Sequence, residues 1–109
     1  MAAFTIGEVV IVAYPFSDGS GVKKRPALVV KINSEEDIVV CMISASPRTD
    51  IFSFPIVGTD FIDSNLLKNS FVRPESVLVV HKKLCFKVGR VSQSFTQRIK
   101  DYLADWIKA

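Results

Sequence analysis

The chain has 109 residues, of which 49% are hydrophobic and 23% charged, and its formal net charge at pH 7 is +3. This length and composition predict one domain, residues 1–109, with one core, and argue against two domains. No apolar run approaches the ~20 residues that cross a bilayer. Residues 1–4 lack the basic start and apolar middle of a signal peptide. We therefore expect a soluble cytoplasmic protein, and nothing in the composition calls for a cofactor.

The two cysteines, Cys41 and Cys85, each lie inside an apolar run and do not have the spacing of metal ligands. A free cysteine behaves as a small hydrophobic residue, so cysteines within apolar runs are more often buried thiols than parts of a disulfide or a metal site. We expect no metal and a reducing compartment.

The first half of the chain predicts strands joined by polar turns. A β-branched run over 7–14 stops at Pro15 and precedes a turn-rich stretch, 17–21. Two further apolar segments, 27–32 and 38–43, flank a polar turn and predict a hairpin.

The second half continues the β pattern. Residues 51–57 alternate in part, and a proline within them favours an edge strand. After a loop that contains Gly58 and 63–65, short strands are predicted at 70–73, 77–81 and 86–91. The expected total is six or seven strands.

The C-terminal segment changes its period. Apolar residues recur there at intervals of three and four: Phe95, Ile99, Tyr102, Leu103, Trp106 and Ile107. This spacing predicts an amphipathic helix, and Ser94 with Gln97 fits a capping box at its start. Closely spaced strands followed by one helix favour a compact twisted sheet or small barrel over βαβ units.

Three segments of the sequence resemble one known family. Residues 14–30, preceded by Gly7-Glu8-Val9, contain the most distinctive run, Arg25-Pro26-Ala27 followed by apolar residues. Ile43-Ser44-Ala45 resembles a strand-end motif, and 65–73 resembles the segment that leads into a later strand. The order and spacing of all three are similar to those of the MazF/PemK toxin family.

The resemblance covers most of residues 5–92 and is compatible with the C-terminal helix. It implies a mainly β chain with a C-terminal helix, folded as an SH3-like barrel of the MazF/PemK/CcdB toxin type. It also implies a homodimer, a small antitoxin protein that silences the toxin, and contact with DNA only indirectly, through the antitoxin complex.

The activity that the resemblance implies is metal-independent cleavage of single-stranded RNA. In this family the RNA 2′-hydroxyl attacks the phosphate and leaves a cyclic phosphate and a 5′-hydroxyl. An arginine and a Thr or Ser have the best-supported roles, and these fall on Arg25 and Ser44. A planar, permanently charged guanidinium suits the negative charge that develops on phosphorus. Ser44 has no histidine near it in sequence, so we expect it to hydrogen-bond the scissile phosphate rather than act as a nucleophile.

RNA binding needs basic side chains and an aromatic platform. Phe16 is the candidate platform, and four basic residues are candidate phosphate contacts: Lys23, Lys24, Lys68 and Arg73. The alternative, without a role in binding, is that these lysines are solvent-exposed surface residues. We expect Arg25 at the junction between the first loop and the second strand, fixed by Pro26.

The general base is left open by the sequence. Several family members carry His or Glu in the first loop and Asp before the later strand, where this chain has Ser17, Asp18 and Ser70. Asp18 is a possible base, although an aspartate before glycine is also a turn former. His81 is the only histidine and matches no motif. Two alternatives therefore stay open: a non-enzymatic toxin that binds a protein such as DNA gyrase, and an inactive nucleic-acid-binding barrel.

Overall fold

The computed structural model describes residues 3–15, 21–45, 53–56, 61–64 and 70–109. These residues form seven strands, one short 3-10 turn and one α-helix. The strands are β1 (Glu8–Pro15), β2 (Val22–Ile32), β3 (Asp37–Ser44), β4 (Phe54–Ile56), β5 (Phe61–Ser64), β6 (Ser70–His81) and β7 (Cys85–Val91). The 3-10 turn is Lys82–Leu84, and the helix, α1, is Gln93–Lys108.

All seven described strands belong to one antiparallel sheet, in the order β4-β6-β3-β2-β1-β7-β5. The sheet forms a half-barrel with the helix at the end of the chain, which confirms the predicted fold class. β4 and β5 are its edges. Pro55 lies in β4, where a residue without an N–H costs no central hydrogen bond.

Both faces of the central strands are buried, so these strands have continuous apolar runs instead of alternation. Along β1, Val9 packs in the cluster under α1 and Val10 packs in a second cluster on the opposite face. In β2, Leu28 and Val29 divide in the same way. A single strand therefore contributes to two cores.

The helix packs through its first half and begins earlier than the sequence predicted. Phe95 and Ile99 are fully buried against the sheet. The N-cap is Ser92, whose Oγ accepts a hydrogen bond from the Phe95 N–H at 3.1 Å. The predicted capping box of Ser94 and Gln97 is wrong, because both residues lie within the helix. The Gln97 side chain instead donates to Asp101 at 2.8 Å.

Two strand predictions also need correction. The separate strands expected at 70–73 and 77–81 are one strand, β6, with extra residues between the partners of Met42 and Cys41. Pro74 lies in this irregular stretch, where a missing N–H is tolerated. The sequence predicts a loop where β5 lies; three of the four β5 residues pair with β7, and sheet context overrides their weak local β preference.

The entry into β1 is fixed at Gly7. Its φ is +97°, a conformation that L side chains rarely adopt. The Gly7 N–H donates to the Val29 carbonyl and its carbonyl accepts from the Val91 N–H, both at 2.9 Å. A Cβ atom at this position would lie 3.2 Å from Thr96 Oγ1. The backbone of Gly7 thus bridges β2 and β7 and lies close to Thr96 at the start of α1.

The segment before β1 is held by an ion pair between a buried glutamate and an exposed lysine. Glu8 is only 4% exposed, and its Oε2 lies 3.1 Å from Lys87 Nζ. The other carboxylate oxygen accepts from the Thr5 N–H, and Lys87 also donates to the Ala3 carbonyl. These contacts place residues 3–6 on the barrel surface. No helix in the described part of the chain has the length and apolarity to cross a membrane.

Candidate functional site

Three polar residues from distant parts of the sequence project from one face of the sheet, the face opposite α1. Ala27 in β2 lies opposite Met42 in β3, and Met42 lies opposite Arg73 in β6. Arg25 precedes Ala27 by two residues, and Ser44 follows Met42 by two residues. Since side chains alternate along a strand, Arg25 and Ser44 project from the same face as Arg73, one row further along the ladder.

Ser44 and Arg73 are in direct contact. Arg73 Nη2 donates to Ser44 Oγ at 3.0 Å, across 29 residues of sequence. The sequence suggested Arg73 only as a phosphate contact, and the structure adds its bond to the serine. The pairing depends on the extra residues in β6, which no local sequence signal reports.

Arg25 is held more firmly than the sequence indicated. The prediction that it stands at a loop-to-strand junction is wrong, because β2 begins at Val22 and Arg25 pairs with Val12 in β1. Its side chain is half-buried. Among the described residues, the buried Nε of Arg25 has no hydrogen-bond partner. A buried N–H without a partner is costly, so an anion bound here would complete its hydrogen bonding.

The two neighbouring lysines lie on opposite faces of β2. By alternation Lys23 shares the face of Arg25. Lys24 points the other way, and its Nζ lies 5.9 Å from the ring centroid of Phe86 in β7. The structure therefore brings Lys23, and not Lys24, towards Arg25. Phe16, Asp18 and Lys68 lie outside the described residues.

The comparison with known families bears on this cluster. Residues 5–107 match the family of PemK-like, MazF-like toxins of type II toxin-antitoxin systems. The chain belongs to this family. A search of curated proteins finds no match. The family confirms the resemblance carried by the Arg25, Ser44 and 65–73 segments and implies that this toxin has an antitoxin partner.

The toxin's histidine lies far from the cluster. His81 is opposite Asp37 at the start of β3, whereas Ser44 ends that strand; at ~3.4 Å per residue the two ends are about 24 Å apart. The ring Nε2 lies 3.0 Å from Glu36 Oε2, and Nδ1 accepts from the Lys83 N–H at 3.1 Å. His81 therefore connects the turn before β3 to the 3-10 turn after β6, at the end of the sheet away from Ser44.

Glu75 follows Arg73 by two residues, but its carboxylate binds the helix. Glu75 Oε2 accepts a hydrogen bond from the Tyr102 hydroxyl at 2.6 Å, and this bond raises the pKa of Tyr102 above its ordinary value. The Tyr102 ring also packs edge-on against Phe54 in β4. Glu75 thus ties the irregular stretch of β6 to α1.

Both cysteines are free thiols, and the predicted burial is confirmed for Cys41 but not for Cys85, which is half-buried. Cys41 is buried, and burial raises the pKa of its thiol to about 12; burial also raises the pKa of the half-buried Cys85. Metal binding and nucleophilic attack both need the thiolate, which these surroundings disfavour. Within the described ranges, no group of three or more His, Cys, Asp or Glu side chains is arranged to hold a metal ion.

Proposed function

We propose that this toxin is a metal-independent endoribonuclease that cleaves single-stranded RNA by attack of the 2′-hydroxyl on the adjacent phosphate. The products are a cyclic phosphate and a 5′-hydroxyl. The observation that carries the proposal is the contact between Arg73 and Ser44, on the face of the sheet from which Arg25 also projects. Membership of the PemK-like, MazF-like toxin family supports it.

The side chains of Arg25, Ser44 and Arg73 offer the positive charge and hydrogen-bond donors that stabilise the transition state of this reaction. In-line attack places extra negative charge on the phosphate oxygens, and fixed cationic donors stabilise that charge most in a partly desolvated site. Arg25 offers a planar fork with a buried Nε and a backbone held in a ladder. We assign Arg25 to the oxygens of the scissile phosphate.

Ser44 and Arg73 act together in this proposal. Ser44 Oγ accepts from Arg73 and lies on the face of Arg25, where the serine hydroxyl serves as a hydrogen-bond donor to a phosphate oxygen. Arg73 orients the serine and adds a second positive charge. Lys23 extends the cationic face, with Phe16 and Lys68 as further candidate RNA contacts and Asp18 as the candidate base.

The activity belongs in the cytoplasm, where RNA and an antitoxin are available and where thiols such as Cys41 and Cys85 stay reduced. We also propose that the toxin is a homodimer. Large apolar side chains remain exposed on β6, where Leu78 is 40% and Val79 is 60% exposed. Successive strand residues point to opposite faces, so both faces of this part of β6 offer apolar surface to a partner. Light scattering at micromolar concentration should give the dimer mass, and a monomer mass contradicts this part of the proposal.

The test of the activity is incubation of the purified toxin with a long unstructured RNA in EDTA, followed by mapping of the RNA ends. Cleavage with cyclic phosphate and 5′-hydroxyl termini is expected. Strict dependence on added magnesium contradicts the mechanism. Binding without cleavage would favour an inactive RNA-binding barrel, and neither binding nor cleavage a toxin that acts on a protein.

A further inference from the structure

The irregular stretch of β6 interrupts the pairing of that strand with β3. Met42 pairs with Arg73 and Cys41 pairs with Val77, so residues 74–76 have no partner in β3. Regular ladder hydrogen bonds fix the backbone of a strand, and a bulge interrupts them. Contacts outside this ladder therefore determine the geometry of the stretch, and with it the position of Arg73 at its start.

Arg73 and Glu75 serve opposite faces of the sheet. In a regular strand, side chains two residues apart point to the same face. Here Arg73 donates to Ser44 at 3.0 Å on the face opposite α1, whereas Glu75 Oε2 accepts from the hydroxyl of Tyr102 in α1 at 2.6 Å. The irregular stretch is thus held by the serine on one side of the sheet and by the helix on the other.

Tyr102 has a fixed position on the helix. Its ring packs edge-on against Phe54, with ring centroids 5.5 Å apart, and Phe54 lies opposite Val72 in the ladder of β4 and β6. Arg98 of the same helix lies 5.4 Å from the centroid of the Phe54 ring. A hydroxyl on a ring held in this way gives Glu75 a donor that cannot easily follow a movement of β6.

A second contact reaches the irregular stretch from within the sheet. Pro74 is fully buried, and its carbonyl accepts from Cys41 Sγ at 3.6 Å. A thiol is a weak donor, whereas a hydroxyl bonded to a carboxylate is a strong one. Of these two contacts, the bond from Tyr102 to Glu75 is therefore the stronger.

We propose that Tyr102 is a positioning residue of the ribonuclease site: its bond to Glu75 holds the irregular stretch of β6 and so sets where Arg73 meets Ser44. The inference rests on the proposed function, since it adds a residue to that reaction. Tyr102 belongs to the helix, on the other face of the sheet, and acts only through β6. A displacement of about 1 Å in a site can reduce turnover by roughly a hundredfold, so a contact on the helix side can influence cleavage.

The first experiment compares Tyr102→Phe with the parent toxin in single-turnover cleavage of a long unstructured RNA. The variant keeps the ring that packs on Phe54 and loses the hydroxyl. We expect the rate at saturating RNA to fall about tenfold or more, because Arg73 is displaced. The RNA concentration at half-maximal rate should change by less than about twofold, since Tyr102 does not contact RNA in this proposal. The pH–rate profile should keep its shape.

Substitutions of Glu75 test whether the bond to Tyr102 carries the effect. Glu75→Ala removes the acceptor and should slow cleavage as much as Tyr102→Phe does. Glu75→Gln keeps an amide oxygen that can accept from Tyr102 and should retain a rate within about threefold of the parent. Glu75→Ala combined with Tyr102→Phe should be no slower than either single variant, because two residues that act through one bond are not additive.

Ser92→Ala is the matched control on the same helix. It removes the helix cap and leaves the Tyr102 bond intact. It should cleave RNA within about twofold of the parent at a temperature where circular dichroism shows a folded protein.

A second measurement does not need cleavage. The Nε of Arg73 is buried, so its N–H should give an observable ¹H–¹⁵N NMR signal, identified by its loss in Arg73→Lys. This signal should shift in Tyr102→Phe and in Glu75→Ala and should stay in place in Ser92→Ala.

Equal cleavage by Tyr102→Phe and the parent, or an unmoved Arg73 signal, would overturn the inference and leave the proposed function standing. An equal loss of rate in Ser92→Ala would also overturn it, since the effect would then reflect a loosened helix. If Glu75→Gln is as slow as Glu75→Ala, the carboxylate itself takes part in the reaction and the positioning role is wrong. A parent toxin that does not cleave RNA overturns the proposed function, and this inference with it.

Discussion

The two faces of the sheet are built from the same strands and differ in what covers them. Under α1, Leu28, Phe95 and Ile99 form a sealed apolar cluster, and the helix is fixed by Ser92 at its start. On the opposite face, the apolar cluster around Val29 gives way to the polar row of Arg25 and Ser44. Alternation along β2 lets one strand stabilise the domain on one side and present cations on the other. The chemistry can therefore change without loss of the helix-side core.

Substitution of Arg25 tests this separation most strongly. If Arg25 stabilises charge on the scissile phosphate, Arg25→Ala should reduce single-turnover cleavage at saturating RNA by about a hundred- to a thousand-fold. Arg25→Lys should recover little, since an ammonium keeps the charge and loses the two-point geometry. Circular dichroism should show an intact fold for both variants, because the helix-side cluster is untouched.

Ser44→Ala serves as the companion variant, because it removes the acceptor of the Arg73 bond without changing the charge of the face.

Cleavage within a few-fold of the parent for both Arg25 variants would show that Arg25 does not stabilise the transition state. The cationic face would then have only a binding role.

The next effect concerns stability and the helix-covered face. Gly7→Ala should lower the free energy of unfolding by about 1–3 kcal/mol, because alanine is strained at positive φ and its Cβ would crowd Thr96 Oγ1 at 3.2 Å. Urea unfolding measures the change. An unchanged urea midpoint would mean that the junction of β1, β2 and α1 does not depend on this backbone conformation.

Much of the fold followed from local pattern, and the misses have specific causes. The β-branched runs of β1, β2 and β3 and the period of α1 were sufficient to predict those elements. β5 is short and polar at its end, so only its pairing with β7 makes it a strand. Two strands were predicted in place of β6, because Pro74 lies in an irregular stretch of the strand and resembles a strand boundary in the sequence.

The site was predictable in part. Arg25 and Ser44 came from a family resemblance, since nothing local distinguishes them from other strand residues. The bond between Ser44 and Arg73 depends on the register of β3 against β6, which the sequence does not report. Lys23 and Lys24 point to opposite faces because both lie in β2, which begins at Val22. Side chains alternate in a strand and need not alternate in a loop, so this difference could not be predicted while the segment was assigned to a loop.

A smaller effect distinguishes the observed helix cap from the predicted one. Ser92→Ala should lower stability by about 1 kcal/mol, because the Phe95 N–H loses its acceptor. Ser94→Ala should change stability by less than about 0.5 kcal/mol, since that serine lies inside the helix near its surface. Thermal unfolding of the two variants side by side decides the point. A larger loss for Ser94→Ala would restore the capping box that the sequence suggested.

The smallest expected effect lies in the two lysines that β2 separates. Removing one phosphate contact to single-stranded RNA lowers the slope of log affinity against log salt by about 0.7. Lys23→Ala should show this decrease, because its side chain shares the face of Arg25, and Lys24→Ala should leave the slope unchanged, because its Nζ lies over Phe86 on the other face. Both variants lose one charge, so a general electrostatic effect would change them equally. Binding is best measured with Arg25→Ala as the background, so that the RNA stays intact through the titration. Equal slopes for the two lysine variants would mean that RNA contacts both faces of β2, and the separation of the two faces would then not extend to RNA binding.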